Sequence, residues 1–160
     1  DFFVNTGFTV ETNDGSLNVA QFLVDQGNTE AMTGDTALLY VPAVEQRRGL
    51  YVFTTGQGFS SNHAVISAPA NTPIMIDGAD VTSICEGPKS DGSLTIESVT
   101  YDFESWDCEI EDGVHTVHSG DSPEEATAPI GVFVYGYYGA GSYAYPAGSD
   151  LRKTNPVVVE

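Results

Sequence analysis

Turn-forming residues interrupt this chain too often for a long helix. The 160 residues include 17 glycines and 8 prolines, and pairs such as Asp77-Gly78 and Asp91-Gly92 recur along the sequence. Glycine and proline disfavour helix interiors, and Asp-Gly pairs are typical of tight turns. The spacing leaves room for helices of one or two turns, at Ala43–Arg48 and Pro123–Thr127. The pattern therefore predicts a fold made of strands.

Short segments rich in β-branched and aromatic residues lie between these turns. In Gly131–Tyr138, valine and glycine alternate with phenylalanine and tyrosine, which predicts one apolar face and one aromatic face. The predicted strands are Leu17–Val24, Leu50–Thr55, His63–Ala68, Pro73–Gly78, Ser93–Val99 and Gly131–Tyr138. Short strands with turns between them are typical of sandwiches. We expect residues 1–160 to form a single all-β domain, an antiparallel β-sandwich with short strands and long loops, either a mature form or a piece of a longer extracellular protein.

Acidic residues outnumber basic residues so strongly that several classes of partner are excluded. The chain has 23 Asp and Glu against 5 Lys and Arg, a formal net charge of −18. Recognition of nucleic-acid phosphates or of an anionic membrane surface needs clustered cations, which this sequence lacks. No segment approaches the roughly 20 consecutive apolar residues of a membrane-spanning helix. The sequence therefore predicts no nucleic-acid partner and no membrane insertion.

The two cysteines, Cys85 and Cys108, are predicted to form a disulfide. Neither belongs to a CxxC motif or to a Cys/His cluster, which argues against a zinc site. An even cysteine count in an acidic, lysine-poor chain is typical of secreted proteins. The alternative is a pair of buried free thiols in a cytosolic protein. With a disulfide, we expect the protein to be secreted or displayed at the cell surface, and Trp106 to pack against the bond.

A dense group of carboxylates between residues 102 and 112 raises the question of calcium. Hard cations bind several oxygens that converge from one loop, and the candidate ligands are Asp102, Glu104, Asp107 and Asp112. The stretch lacks the ligand order of an EF-hand, so a solvated acidic face is the alternative. A catalytic carboxylate pair is a further alternative, but charged outer faces are common. We expect no cofactor, with calcium as the single candidate.

The three histidines give little support for catalysis. In a strand, His115 and His118 would point to opposite faces, which is poor geometry for a shared metal ion. His63 follows Ser60 and Ser61, so a hydroxyl and a base are close in sequence, but the G-x-S-x-G turn of many serine hydrolases is missing. We interpret the histidines as structural and predict no catalytic residues.

Five tyrosines near the end of the chain form a candidate contact surface. They are Tyr135, Tyr137, Tyr138, Tyr143 and Tyr145. Because tyrosine combines an apolar ring with a hydroxyl, tyrosines on strands beside glycines can form a flat platform for a sugar or a peptide. The alternative is that these side chains fill the core of the sandwich and its edge.

Five stretches follow one another in an order that is typical of a known family. They are VAQFLV (Val19–Val24), VPAVEQRRGLYVF (Val41–Phe53), HAVISAPANTPIMIDGADV (His63–Val81), DGVHTV (Asp112–Val117) and PIGVFVYGYYGAGSYAYPAGSDL (Pro129–Leu151). Together they resemble the later portion of the IgGFc-binding protein N-terminal domain family. The resemblance implies a secreted or surface-displayed β-rich module without catalytic residues. It supplies no binding residues, and Fc binding is not transferred from the family name.

These features predict a non-catalytic adhesion or recognition module that binds an extracellular glycan or protein. The expected contact surface comprises Tyr135–Tyr145 and the acidic segment Asp102–Asp112. The alternative is a self-associating subunit of an extracellular fibre, sheath or matrix. In that case, Phe2–Val10 and Pro156–Val159 would add as strands to neighbouring subunits.

Overall fold

The structure, a computed structural model, describes residues 7–12, 17–24, 34–96 and 98–150. Within these ranges it contains eleven strands and one four-residue helix, α1 (Val81–Ile84). The strands are β1 (Val19–Leu23), β2 (Ala37–Val41), β3 (Leu50–Thr54), β4 (Ser61–Pro69), β5 (Ile74–Ile76), β6 (Ala79–Asp80), β7 (Glu86–Ile96), β8 (Val99–Ile110), β9 (Val114–Ser119), β10 (Gly131–Tyr138) and β11 (Gly141–Pro146). Single 3-10 turns at Val44–Gln46 and Pro123–Glu125 lie inside the two segments predicted to be short helices.

Two sheets and a two-stranded ribbon organise these strands. The larger sheet has the order β11-β10-β4-β8-β7, and the smaller sheet has the order β3-β9-β5-β6. The ribbon consists of β1 and β2. Pairing is antiparallel throughout the described residues. The chain is therefore all-β with a sandwich arrangement of sheets, which confirms the predicted fold class.

The core lies between the two sheets, where each strand contributes its inward-pointing side chains. On β4 these are Ala64, Ile66 and Ala68, none of which has accessible surface. The other core residues are Tyr51, Phe53, Ile74, Ile76, Val81, Trp106, Cys108, Val117, Ile130, Val132 and Val134. Burial of apolar surface stabilises the fold by about 25 cal/mol per Å². The stability of the sandwich therefore depends mainly on this one layer of contacts.

Strand β10 shows the alternation that the sequence predicts. Val132 and Val134 belong to the core, and Gly136 is buried beside them. Tyr135 and Tyr137 are half-buried on the opposite, outer face of the larger sheet. The inner face of this strand is therefore apolar and its outer face is aromatic.

A disulfide joins Cys85, directly after α1, to Cys108 on β8. Cys108 has no accessible surface, and Trp106 on the same strand is buried in the same core. Because α1 follows the smaller sheet and β8 belongs to the larger sheet, the bond cross-links the two layers. The predicted disulfide is confirmed, and the alternative of two free thiols is excluded.

The long β7–β8 hairpin is the largest departure from the predicted strands. The sequence predicts one strand at Ser93–Val99, but β7 ends at Ile96 and β8 begins at Val99. The predicted strand therefore crosses a turn, in which Ser98 has a φ of 67°. The strand β8 is hard to recognise in the sequence because it is rich in acidic residues. Asp107 and Glu109 lie on its solvent side, whereas Trp106 faces the core.

The helix α1 is not among the elements predicted from the sequence. The helix α1 begins at an N-cap residue, Asp80, whose Oδ1 accepts a hydrogen bond of 2.8 Å from the backbone N–H of Thr82.

The predicted terminal strand Phe2–Val10 lies outside the described residues except for residues 7–10, which form no strand. The second predicted terminal strand, Pro156–Val159, lies entirely outside them.

Removing the disulfide should destabilise the fold without changing its topology. We expect the double variant Cys85→Ala/Cys108→Ala to lose about 3 kcal/mol of unfolding free energy, since its unfolded chain gains the entropy of an open loop. Urea unfolding measures the difference. Reduced wild-type protein is the matched control, and equal stability with and without reductant would show that the cross-link contributes nothing.

The buried Gly136 should not tolerate a side chain. A Cβ atom there would lie 2.5 Å from Tyr143 Cε1, 2.7 Å from Asn62 Oδ1 and 2.8 Å from the carbonyl oxygen of Ser61. We expect Gly136→Ala to cost about 1–3 kcal/mol in unfolding free energy, because overpacking forces its neighbours apart. In Gly141→Ala, the new Cβ would meet its nearest neighbour at 3.4 Å, so this control should be near wild type. Equal stability of the two variants in thermal unfolding would contradict the close packing around Gly136.

Candidate binding site

Four side chains form a continuous polar chain on the outer face of the larger sheet. They come from three adjacent strands: Ser61 and His63 from β4, Asp107 from β8 and Tyr135 from β10. Ser61 and His63 share this face because side chains two residues apart in a strand point the same way. The register sets Tyr135 directly opposite His63, so the neighbouring strands bring the remaining groups within reach.

The hydrogen bonds along the polar chain converge on Asp107 from both ends. Ser61 Oγ lies 2.7 Å from His63 Nε2, and His63 Nδ1 lies 3.0 Å from Asp107 Oδ1. An ionised carboxylate can only accept, so Nδ1 carries the proton and Nε2 accepts from the Ser61 hydroxyl. Tyr135 donates to Asp107 Oδ2 at 2.8 Å, and its ring stacks on the imidazole with centroids 4.7 Å apart. The imidazole is therefore fixed in both tautomer and orientation.

The environment keeps the carboxyl group of Asp107 ionised. Partial burial alone would raise its pKa, but the hydrogen bonds from His63 and Tyr135 and the nearby Lys89 outweigh that effect and lower the pKa. The pKa of Tyr135 is raised, first by burial and then by the negative charge of Asp107. The polar chain therefore contains one carboxylate and one neutral phenol at neutral pH.

An open groove of about 620 Å³ lies next to Ser61, at one end of the sandwich. It is lined by Phe59, Ser60, Ser61, Asn62, Ile84, Glu109, Ile110, Glu111 and Asp112. Its size is in the usual range of small-ligand sites. Hydroxyl, amide and carboxylate groups dominate the lining, so this end groove suits a polar ligand.

Hydrogen bonds hold the lining of the end groove in place. Tyr143 donates its hydroxyl to Asn62 Oδ1 at 2.6 Å, and Asn62 Nδ2 donates to Asp112 Oδ1 at 2.8 Å. The other carboxylate oxygen of Asp112 accepts from the backbone N–H of Gly58 at 3.0 Å. Because each group constrains the next, these contacts hold the lining in one arrangement.

An aromatic rim borders the end groove. The ring of Phe59 meets the rings of Tyr143 and Tyr138 edge to face, with centroid separations of 4.8 Å and 6.4 Å. Tyr138 is 61% exposed, so its ring is available to a ligand. No pattern in the sequence identifies Phe59 as a site residue, because it lies in the loop between β3 and β4.

The five predicted tyrosines do not form one platform. Tyr135 and Tyr137 lie on the outer face of the larger sheet, and Tyr138 is exposed at the end of β10. Tyr143 and Tyr145 pack against the core instead, and the hydroxyl of Tyr145 donates to the carbonyl of Thr54 on the smaller sheet. The alternative of core and edge filling therefore describes these last two residues.

The four candidate calcium ligands have separate partners. Asp102 accepts from Ser93 Oγ at 2.6 Å, and Glu104 accepts from the backbone N–H of Asn71 at 2.9 Å. Asp107 belongs to the polar chain, whereas Asp112 belongs to the lining of the end groove. Across residues 7–12, 17–24, 34–96 and 98–150, no group of three or more His, Cys, Asp or Glu side chains is arranged to hold a metal ion.

The two histidines of β9 lie apart from the polar chain. The ring of His115 is bonded to Asp77 Oδ2 at 2.6 Å and to the carbonyl oxygen of Glu111 at 2.9 Å, and it stacks on Phe53. His118 is buried, with Nδ1 3.3 Å from the carbonyl oxygen of Ser119. The structure therefore gives them packing and hydrogen-bond partners but no shared site.

The charge of Asp107 should contribute a pH-dependent part of the stability. Its folded-state pKa is depressed. Its contribution is therefore complete above the ordinary aspartate pKa of about 3.9, and it is lost as the pH falls through the lower folded value. We expect Asp107→Asn to lower the unfolding free energy by about 1–3 kcal/mol at pH 7. This difference should shrink below about pH 4 in urea titrations.

Glu109→Gln is the matched control, because Glu109 lies on the same strand and face but is exposed. We expect it to change stability by less than about 0.5 kcal/mol at either pH. A deficit of Asp107→Asn that stayed constant from pH 7 to pH 3 would show that the ionised carboxylate is not what stabilises the fold.

Among the described residues, no helix has the length and apolar character needed to cross a bilayer. Neither the curated proteins nor the solved structures gave a match to this chain. One family model, described as IgGFc binding protein, matches residues 1–136. Because this match covers more than half of the chain, the protein belongs to the IgGFc binding protein family, as its sequence motifs indicate.

Proposed function

We propose that this chain is an extracellular recognition module that binds a glycan or protein ligand in the end groove. The family is of a binding type, and its name refers to the Fc part of immunoglobulin G. The family is typically extracellular, and a disulfide is stable in that environment. The observation that carries the proposal is the concave end groove of about 620 Å³ with an exposed aromatic rim.

The chemistry of the end groove favours a ligand rich in hydroxyl groups. The exposed carboxylates of Glu109 and Glu111 accept hydrogen bonds, and the hydroxyls of Ser60 and Ser61 both donate and accept. Aromatic rings such as that of Tyr138 pack well against the apolar faces of sugars and of peptide side chains. A glycan offers both kinds of group, so we place it first among the ligands.

Charge narrows the choice of ligand further. The chain carries a formal net charge of −18, and Glu109, Glu111 and Asp112 line the end groove itself. A strongly anionic ligand, such as a sulfated glycan or a nucleic acid, would be repelled. Neutral glycans and neutral or basic protein surfaces remain compatible with the electrostatics.

The second candidate is a self-associating structural subunit, and one surface favours it. On the outer face of the smaller sheet, Leu50, Val52 and Val114 are exposed, and the register brings Thr54 and Thr116 beside them. These five side chains carry no charge, which is unusual in so acidic a chain, and exposed apolar patches often mark contact surfaces. Two copies could approach through it with less repulsion than elsewhere.

A binding screen with rim variants tests recognition directly. The purified chain is applied to a broad glycan array and to a protein panel that includes immunoglobulin Fc, with and without calcium. We expect Phe59→Ala and Tyr138→Ala to weaken a confirmed interaction at least tenfold, since each removes an aromatic contact worth more than about 1.4 kcal/mol. Tyr40→Ala is the matched control, because Tyr40 is 64% exposed on the ribbon, away from the groove.

Two outcomes would overturn the assignment to the end groove. Binding that is unaffected by both rim variants would place the contact surface elsewhere. A folded sample that binds nothing on either panel, but grows in size with concentration during sedimentation, would favour the structural subunit.

A further inference from the structure

The polar chain contains the arrangement that activates a serine for attack on an acyl group. A serine hydroxyl, an imidazole and a carboxylate are joined in that order by hydrogen bonds of 2.7 Å and 3.0 Å. These distances are those required between a nucleophile, its base and the group that orients the base. We propose that Ser61, His63 and Asp107 form a nucleophilic triad that accepts an acyl group from an activated ester bound in the end groove.

The direction of the hydrogen bonds fits this role. Nδ1 of His63 keeps its proton because it faces the carboxylate of Asp107, which leaves the lone pair of Nε2 directed at the Ser61 hydroxyl. This is the tautomer in which an imidazole works as a general base toward serine. With the opposite tautomer, the hydroxyl would not lose its proton to the ring.

Tyr135 acts as a positioning residue for this base. Its hydroxyl bonds to the second oxygen of Asp107, and its ring lies nearly parallel to the imidazole, at an interplanar angle of 7°. Both contacts restrict rotation of the side chains that must stay aligned. The sheet supplies the rest of the rigidity, since the three strands involved are hydrogen-bonded neighbours.

Ser61 also lies where a substrate can reach it. It lines the end groove, and the side chains of His63 and Asp107 are 23% and 28% exposed, so the triad is neither sealed in the core nor fully solvated. The adjacent Ser60 lines the same groove, but its hydroxyl donates to the carbonyl oxygen of Tyr137 at 2.9 Å. Ser60 therefore has a comparable location without a base.

The proposed reaction needs only the ester, water and the side chains of the triad. Ser61 Oγ bonds to the ester carbonyl carbon while its proton passes to His63 Nε2. The carbon–oxygen bond to the alcohol then breaks, and the alcohol leaves with that proton. Water attacks the acyl-serine in the same way, and the proton that it yields to Nε2 returns to Ser61 Oγ. The net change is ester plus water to carboxylic acid plus alcohol.

A fluorophosphonate probe tests the nucleophile without knowledge of the natural ester. Ser61 Oγ would bond to phosphorus and displace fluoride, and the stable adduct can be located by peptide mass mapping. We expect a single adduct on Ser61 in the wild-type chain and none there in Ser61→Ala. His63→Gln should slow labelling of Ser61 at least 100-fold, which is the usual contribution of a general base. Ser90→Ala, which alters an exposed serine on the edge strand β7 outside the groove lining, should label at the wild-type rate.

Each result bears on the proposal independently of ligand recognition. Circular dichroism checks that His63→Gln is folded, and mapping of the wild-type chain needs no variant. An unlabelled Ser61 in the wild-type chain would overturn the triad, and so would labelling of Ser61 that His63→Gln does not slow. Because a glycan or protein can bind in the groove without any reactive serine, failure of this test leaves the recognition experiment unaffected.

Discussion

Ala64, Ile66 and Ala68 leave no accessible surface on the inner side of β4, where the two sheets meet. This close packing fixes the position of β4, and β4 is hydrogen-bonded to β10 on one side and to β8 on the other. Protein interiors are packed too densely for a central strand to shift by one residue without exposing its apolar side. The backbone positions that carry the outer side chains of β4 are therefore fixed as well.

The geometry of the outer face of the larger sheet depends on this packing. His63 stands on β4 between two partner strands, so a carboxylate from β8 and a phenol from β10 can both reach it. A polar network on a rigid sheet loses little entropy when it forms, because the backbone is already ordered. The end groove uses the same strands where they terminate, which explains why one serine belongs to both the network and the groove.

Local patterns in the sequence predicted the all-β fold class and the two faces of β10, but not the contacts between distant strands. The alternation in Gly131–Tyr138 identifies the whole of β10 and assigns its faces. Because β4 begins at Ser61, two residues earlier than the predicted strand, the spacing of Ser61 and His63 places them on one face. Nothing local indicates that Asp107, 44 residues after His63, lies within hydrogen-bonding distance of it, since that depends on strand order. Likewise, the closeness of the tyrosines in sequence does not place them on one surface, because Tyr143 packs against the core whereas Tyr135 lies on the outer face of the larger sheet.

The disulfide has a mechanical consequence for a chain that is pulled from its two ends. Cys85 and Cys108 enclose all of β7 and most of β8, so tension bypasses this hairpin through the sulfur–sulfur bond. The two cysteines are 23 residues apart in sequence, so the enclosed segment would contribute roughly 80 Å to the fully extended chain at about 3.5 Å per residue. The disulfide prevents this extension. When the domain unfolds under force, the increase in chain length would therefore be smaller than its number of residues implies. The β7–β8 loop would carry none of the applied force.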